Sequence, residues 1–197
     1  MSASLPDLYL VRHGETEWSL SGQHTGLTNL PLTEEGEIQA YGLRRRLQAV
    51  KFAKVFSSPL QRAMRTCQLS GYGSAVEADP DLIEWNYGDY EGKTRPQILA
   101  RRPGWLVFRD GCPNGESPTD VGIRADRVLS RIREVDGNVL VFSSGHFLRV
   151  LMARWLGLEP SSGRYFKLGT ATLSIVGYDH NNRAEPLIRL LNENLKV

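Results

Sequence analysis

Three short strand-like runs, Leu8–Val11, Lys54–Phe56 and Val139–Phe142, alternate with longer helical patterns, and this alternation constrains the fold more than any other feature of the chain. Short apolar runs suit strands buried on both faces, and strands separated by helices pair in parallel because each helical crossover covers the sheet. The helical patterns fall at about 33–50, 59–69, 125–135 and 147–156. The expected fold class is therefore α/β, a mostly parallel central sheet flanked by helices on both faces. Ala171–Tyr178 and Leu187–Leu191, around His180-Asn181-Asn182, read as a hairpin that closes the sheet. Ser58-Pro59-Leu60-Gln61 predicts a hydroxyl N-cap, a proline at the first helical position and a capping-box glutamine, and Gly157 predicts a helix stop.

A chain of 197 residues can bury a full core and is expected to form one domain over residues 1–197. Residues 90–119 break the alternation with Pro96, Pro103, Pro113 and Pro118 and are expected to form a short lid or insertion over the sheet edge. Disorder is expected only at the ends, Met1–Pro6 and the last few residues. The formal charge of +2 argues against a nucleic-acid partner, and the longest basic run, Arg44-Arg45-Arg46, lies in a helical pattern. No apolar stretch reaches the roughly 18 residues of a membrane span. Cys67 and Cys112 show neither zinc-type spacing nor a disulfide framework, so no metal or other cofactor is expected and a reducing, cytoplasmic setting is. Nothing in the sequence sets the oligomeric state.

The chemistry concentrates where two strands end. Leu8–Val11 runs into Arg12-His13-Gly14, and Val139–Phe142 runs into Ser143-Ser144-Gly145-His146. Ligand crevices of such sheets lie beyond the carboxyl ends of the strands, so neighbouring parallel strands would bring both histidines to one edge. The N–H groups opening the helix after His146 would favour an anion there. Arg62 enters from the first turn of the helix after Val55-Phe56, with a guanidinium fork suited to phosphate oxygens. Arg65, three residues on, either joins it or pairs with a surface acid. Glu84, between apolar neighbours that would desolvate it, is the candidate proton donor. Asp89 and Glu91 read as structural or solvated acids.

Leu10-Val11-Arg12-His13-Gly14-Glu15-Thr16, Ser57-Ser58-Pro59-Leu60-Gln61-Arg62-Ala63, Glu84 ahead of Tyr87-Gly88-Asp89-Tyr90-Glu91-Gly92, and Ser144-Gly145-His146 resemble the four signature blocks of the histidine phosphatase superfamily, the phosphoglycerate-mutase-like group, in the same order. The resemblance implies that His13 is the nucleophile that accepts a phosphoryl group, that Arg12, Arg62 and His146 complete the phosphate pocket, and that Glu84 serves first as acid and then as base. It implies a phosphohistidine intermediate hydrolysed by water, with no metal required.

Mutase and phosphatase share that intermediate and differ in the second acceptor. The family's mutases carry a longer basic insertion where this chain has about thirty residues, and asparagine where it has Ser19. Together with the segments around Ser19–Thr28 and Glu84–Gly92, this makes the chain resemble the sedoheptulose-bisphosphatase-like branch. The expected partner is a small phosphorylated metabolite such as a sugar phosphate. The alternatives are a cofactor-dependent phosphoglycerate mutase and a non-catalytic phospho-ligand-binding domain. Ser19, Gln23, His24, Thr25, Tyr87 and Phe147 are expected to contact the organic part of the substrate. Lys93, Arg95, Arg101, Arg102 and Arg109 are candidates for gripping a second phosphate.

Overall fold

Residues 5–194 are described by the computed structural model. Along the chain lie β1 (Leu8–Arg12), α1 (Glu17–Ser21), α2 (Glu34–Gln48), β2 (Lys54–Ser57), α3 (Gln61–Leu69), β3 (Val76–Ala78), α4 (Arg95–Arg101), α5 (Val107–Asp110), α6 (Pro118–Arg133), β4 (Val139–Ser143), α7 (Gly145–Trp155), β5 (Thr172–Tyr178) and β6 (Pro186–Asn194). One sheet takes the strand order β3-β2-β4-β1-β5-β6. The pairs β3–β2, β2–β4 and β4–β1 are parallel, while β1–β5 and β5–β6 are antiparallel. The sheet is thus mixed and mostly parallel, as the alternation of elements predicts.

Strand pleating sends successive side chains to opposite faces, and β1 shows the consequence. Leu8 and Leu10 join a core with Val139, Val141, Leu129, Phe147, Leu151 and Trp155, under α6 and α7. Tyr9 and Val11 join a second core with Leu140, Phe142, Leu43, Leu47 and Cys67, under α2 and α3. Both faces are therefore covered.

Several local expectations are corrected. The α3 helix begins at Gln61, not Pro59: Ser58 Oγ accepts only from the Leu60 N–H at 3.3 Å, and the Gln61 side chain donates to Asn29 O instead of boxing back. The α6 helix begins at Pro118, about two turns before the apolar pattern suggests, because Ser117 and Asp120 form a reciprocal capping box at its N-terminus. Residues 90–119 are not irregular throughout. They hold α4 and α5, and Ile98, Trp105, Val107 and Phe108 belong to the main core. The expectation of disordered ends falls mainly on residues 1–4 and 195–197, which lie outside the described residues; Leu5 and Pro6 are placed.

Candidate active site

The β1–β4 pairing places Arg12 opposite Ser143, and the His13 N–H donates to Ser143 O at 3.0 Å, so both strands end at the same level. Beyond them lies a cavity of about 190 Å³ whose lining includes Arg12, His13, Glu84, Gly145 and His146. Two segments remote in sequence meet because their strands are neighbours.

His13 is 4% exposed. Its Nδ1 sits 2.7 Å from Gly14 O, and a carbonyl only accepts, so Nδ1 carries the hydrogen. Neutral His13 therefore has its lone pair on Nε2. Burial, with the charges of Arg62 and Arg12, holds the imidazole well below its ordinary value of 6.5, so the ring stays neutral.

Arg12 donates from Nη1 to Leu168 O at 2.7 Å, while its buried Nε has no partner. A Cβ on Gly145 would lie 3.2 Å from that Nε, so the bare backbone there admits the guanidinium. Arg62 is fully buried on α3. Its Nη1 donates to Thr28 O and its Nη2 to Gly26 O and Thr25 O, at 2.8–3.2 Å, and its Nε is likewise without a partner. The opposite side of the same loop is held by Glu91, which accepts the N–H groups of Gly26 and Thr28. Arg62 lies behind the cavity wall rather than in its lining. Arg65 does not join it and pairs with Glu37 at 2.7 Å on the surface.

Glu84 departs from its expected surroundings. The carboxylate does not sit in apolar contacts alone. Oε1 accepts from the Trp85 and Phe147 N–H groups at 2.9 and 2.7 Å, and Oε2 accepts from the His146 N–H at 3.0 Å. Two of these donors open α7, whose N-cap Ser144 makes no side-chain capping bond. Glu84 thus caps α7, and the helix-end amides expected to bind a ligand anion are already engaged. Oε2 accepts one bond against two for Oε1 and retains more capacity for a proton.

His146 packs its Nδ1 2.6 Å from Tyr87 OH. Burial, reinforced by Arg149 and His24, holds this ring also well below 6.5, and burial lifts Tyr87 well above the usual phenol value, keeping it protonated. His24 donates from Nδ1 to Lys93 O at 2.8 Å and is 4.8 Å from the Tyr87 ring.

The cavity is also lined by Ser19, Gln23, His24, Thr25 and Tyr87. The Ser19 hydroxyl is engaged in capping α1, donating to Thr16 O and accepting the Thr16 N–H. The Gln23 amide is engaged too, donating to Gly92 O and accepting from Ser21 Oγ. Phe147 is a correction: it is fully buried in the core beneath Arg124 and does not line the cavity. None of Lys93, Arg95, Arg101, Arg102 and Arg109 lines it either, and Arg109 is tied to Asp110 and Gly104 O. The residue that sequence reasoning missed is Arg149, which lines the cavity from α7. Its signal is the spacing of three from His146, which places both on one helix face; Phe147, one residue on, cannot share it.

The chain has relatives among known proteins in both sequence and fold. The histidine phosphatase superfamily (branch 1) profile matches residues 8–193, and the chain belongs to that superfamily. It is 41% identical over 180 residues to an acid phosphatase of Mycobacterium tuberculosis, covering 89% of this chain and 88% of that one. It is 37% identical to the sedoheptulose 1,7-bisphosphatase of Saccharomyces cerevisiae, covering 80% and 70%. A protein of Erwinia tasmaniensis named "Probable phosphoglycerate mutase GpmB" is 32% identical, covering 88% and 86%. Among solved structures, an open reading frame product of Mycobacterium tuberculosis superposes with a TM-score of 0.91 at 36% identity, covering 97% of this chain and 99% of that chain.

Proposed function

We propose that the protein is a phosphomonoesterase that acts on small sugar phosphates or related phosphorylated metabolites through a phosphohistidine intermediate. The observation that carries this reading is His13, neutral by its environment, with its hydrogen fixed on Nδ1 and its Nε2 lone pair free, in a cavity whose cations lack carboxylate partners. Nε2 attacks phosphorus in line, the P–O bond to the leaving group breaks, and Glu84 gives that alkoxide its proton. Water, losing a proton to the same carboxylate, then cleaves the P–N bond and regenerates His13. The guanidinium of Arg12, in the cavity lining, is assigned to the equatorial oxygens as charge shifts, and Arg62 adds its positive charge from behind the wall. His146 supplies a further donor when Tyr87 OH donates to its Nδ1, because the ring hydrogen then sits on Nε2.

No step of this scheme uses a metal. Among the described residues, ligand-type spacing occurs at Asp179, His180 and Glu185, on the exposed hairpin. The unbridged thiols of Cys67 and Cys112 suit a reducing, cytoplasmic setting, and no described helix is long and apolar enough to cross a membrane. The bisphosphatase relative supports a sugar-phosphate substrate, whereas the acid phosphatase relative shares more identity and carries no such restriction in its name. The mutase reading rests on the third relative. Release of phosphate from p-nitrophenyl phosphate in the presence of a chelator is the expected result, with acid-labile phosphate trapped on the protein. No release, with and without added metal, would remove the phosphatase reading. Formation of 2-phosphoglycerate from 3-phosphoglycerate and 2,3-bisphosphoglycerate, faster than phosphate release, would install the mutase in its place.

A further inference from the structure

Residues 84–87 lie in neither a helix nor a strand, so no regular element fixes the backbone that carries Glu84. Carbonyls folded away from water in such a segment need donors from elsewhere. One side chain serves three of them. Arg124 on α6 is 6% exposed and engages all five of its N–H groups. Nη1 donates to Asp81 O at 2.9 Å and Ile83 O at 2.6 Å. Nη2 donates to Glu84 O at 3.2 Å and Glu116 Oε2 at 2.8 Å, and Nε donates to Glu116 Oε1 at 3.0 Å.

Glu116 extends this grip. Its Oε2 also accepts the Asn86 N–H at 2.8 Å, its own N–H donates to Asn86 O at 2.9 Å, and its carbonyl accepts from Trp85 Nε1 at 2.8 Å. The Arg124 guanidinium lies over the Phe147 ring at 4.6 Å, and the Phe147 N–H is the one that Glu84 Oε1 accepts at 2.7 Å. Arg124 thus holds Glu84 from both ends, directly at its carbonyl and through Phe147 at its carboxylate. Neither Arg124 nor Glu116 lines the cavity, whereas Glu84 does. A buried ion pair adds little net stability, because desolvation offsets the attraction. Its geometry matters more here, since a proton donor must lie within hydrogen-bond reach of the leaving oxygen and a misplacement of about 1 Å can cost about 10²-fold in rate. From this network we infer that Arg124, locked to Glu116, is a positioning residue for proton transfer by Glu84, acting on departure of the alcohol and not on capture of the phosphate. The assignment rests on the phosphatase reading and adds to it the residues that aim its acid.

Leaving groups separate this role from general support of the fold. An alkoxide needs a proton to depart, whereas p-nitrophenolate, a far weaker base, leaves without one. The ratio kcat/KM covers the steps up to that departure, so the later attack of water does not enter. In Arg124→Met, kcat/KM for alkyl esters (glycerol 3-phosphate, 3-phosphoglycerate and ribose 5-phosphate) should fall by about tenfold or more, and that for p-nitrophenyl phosphate by at most about threefold, as a displaced general acid implies. Calorimetry should find inorganic phosphate bound within about twofold of the wild-type affinity. Glu116→Gln, which puts an amide N–H₂ where Oε2 now accepts from Asn86 and Arg124, should show the same bias to a smaller degree. Equal losses on both kinds of ester, no loss on either, or lost phosphate binding in a folded variant would overturn the assignment. Melting curves report folding: if Arg124→Met does not fold, Glu116→Gln decides, and if neither folds the pair is a folding element only. Wild-type protein that hydrolyses p-nitrophenyl phosphate but no alkyl ester would have no acid to aim and would overturn it too. If the wild type hydrolyses no ester at all, the phosphatase reading falls and takes the assignment with it, whereas equal losses in an active enzyme remove the assignment alone.

Discussion

The cavity and the outer face of α6 use the same residue type in opposite ways. Arg127 and Arg131 on α6 meet Asp81 and Asp79 at 2.6 Å, and Arg154 meets Asp126 at 2.8 Å. At the cavity, Arg12 and Arg149 in its lining and Arg62 behind its wall bond to backbone carbonyls, which orient a guanidinium without cancelling its charge. Surface arginines pair their charge with neighbouring side chains, while the arginines at the cavity have no such ion pair, which under the proposed function leaves their charge for a phosphorylated ligand. The histidines divide in the same way. Burial and nearby cations keep His13, His24 and His146 neutral, whereas His180 on the exposed hairpin is raised by Glu185 and Asp179.

The sharpest way to break this contrast is to remove His13. His13→Ala is expected to abolish acid-labile phosphate on the protein, and labelling that persists would show that another group is the nucleophile. Glu84→Gln comes next, with kcat for alkyl phosphates lower by about 10²–10⁴-fold while phosphate still binds; near-normal turnover would remove its acid–base role. Arg12→Met should lower kcat/KM by about 10²–10³-fold, the loss of one preorganised anion donor.

Smaller effects test the histidines through pH. His13 and His146 have folded values below the unfolded 6.5, so the unfolded chain binds more protons as pH falls beneath 6.5. Their contribution to stability is present above pH 6.5 and is lost on acidification, by up to about 1.4 kcal/mol per pH unit per histidine. His180 has the opposite sign: its contribution is present below 6.5 and fades as pH rises through its raised value. Melting temperatures at pH 7.5, 6 and 5 should therefore fall, and a flat profile would show that the buried rings do not resist protonation. Smallest of all, Arg131→Ala should change stability by less than about 1 kcal/mol, because the pair is solvent-screened, and should leave phosphate release unaltered.

Much of this architecture is written in local patterns. Leu8–Val11 and Val139–Phe142 are continuous apolar runs, so their strands and the shared rim beyond them can be read directly. β3 cannot: three residues at a sheet edge, with Glu77 and Ala78 exposed, leave no hydrophobic signature. Pro96 and Pro118 suggest loop, yet each occupies the first turn of a helix, where its missing N–H costs nothing; Ser117 and Asp120 carried the capping signal for the second. Within the site, Arg12, His13, Glu84 and His146 are legible because each follows a strand or stands in a distinct block. The bond from Glu84 to the start of α7 is not, since 62 residues separate Glu84 from the His146 amide it accepts and only the folded sheet joins them.

That bond has a consequence for how turnover feels to the rest of the molecule. The Glu84 oxygen with most room for a proton is also the one that receives the His146 amide, so the proton transfer proposed for Glu84 would act on a bond that holds the first turn of α7. Under the proposed function, the oxygen that handles the proton is one of two Glu84 atoms anchoring the helix that carries His146 and Arg149, the other being Oε1, which holds the Phe147 amide.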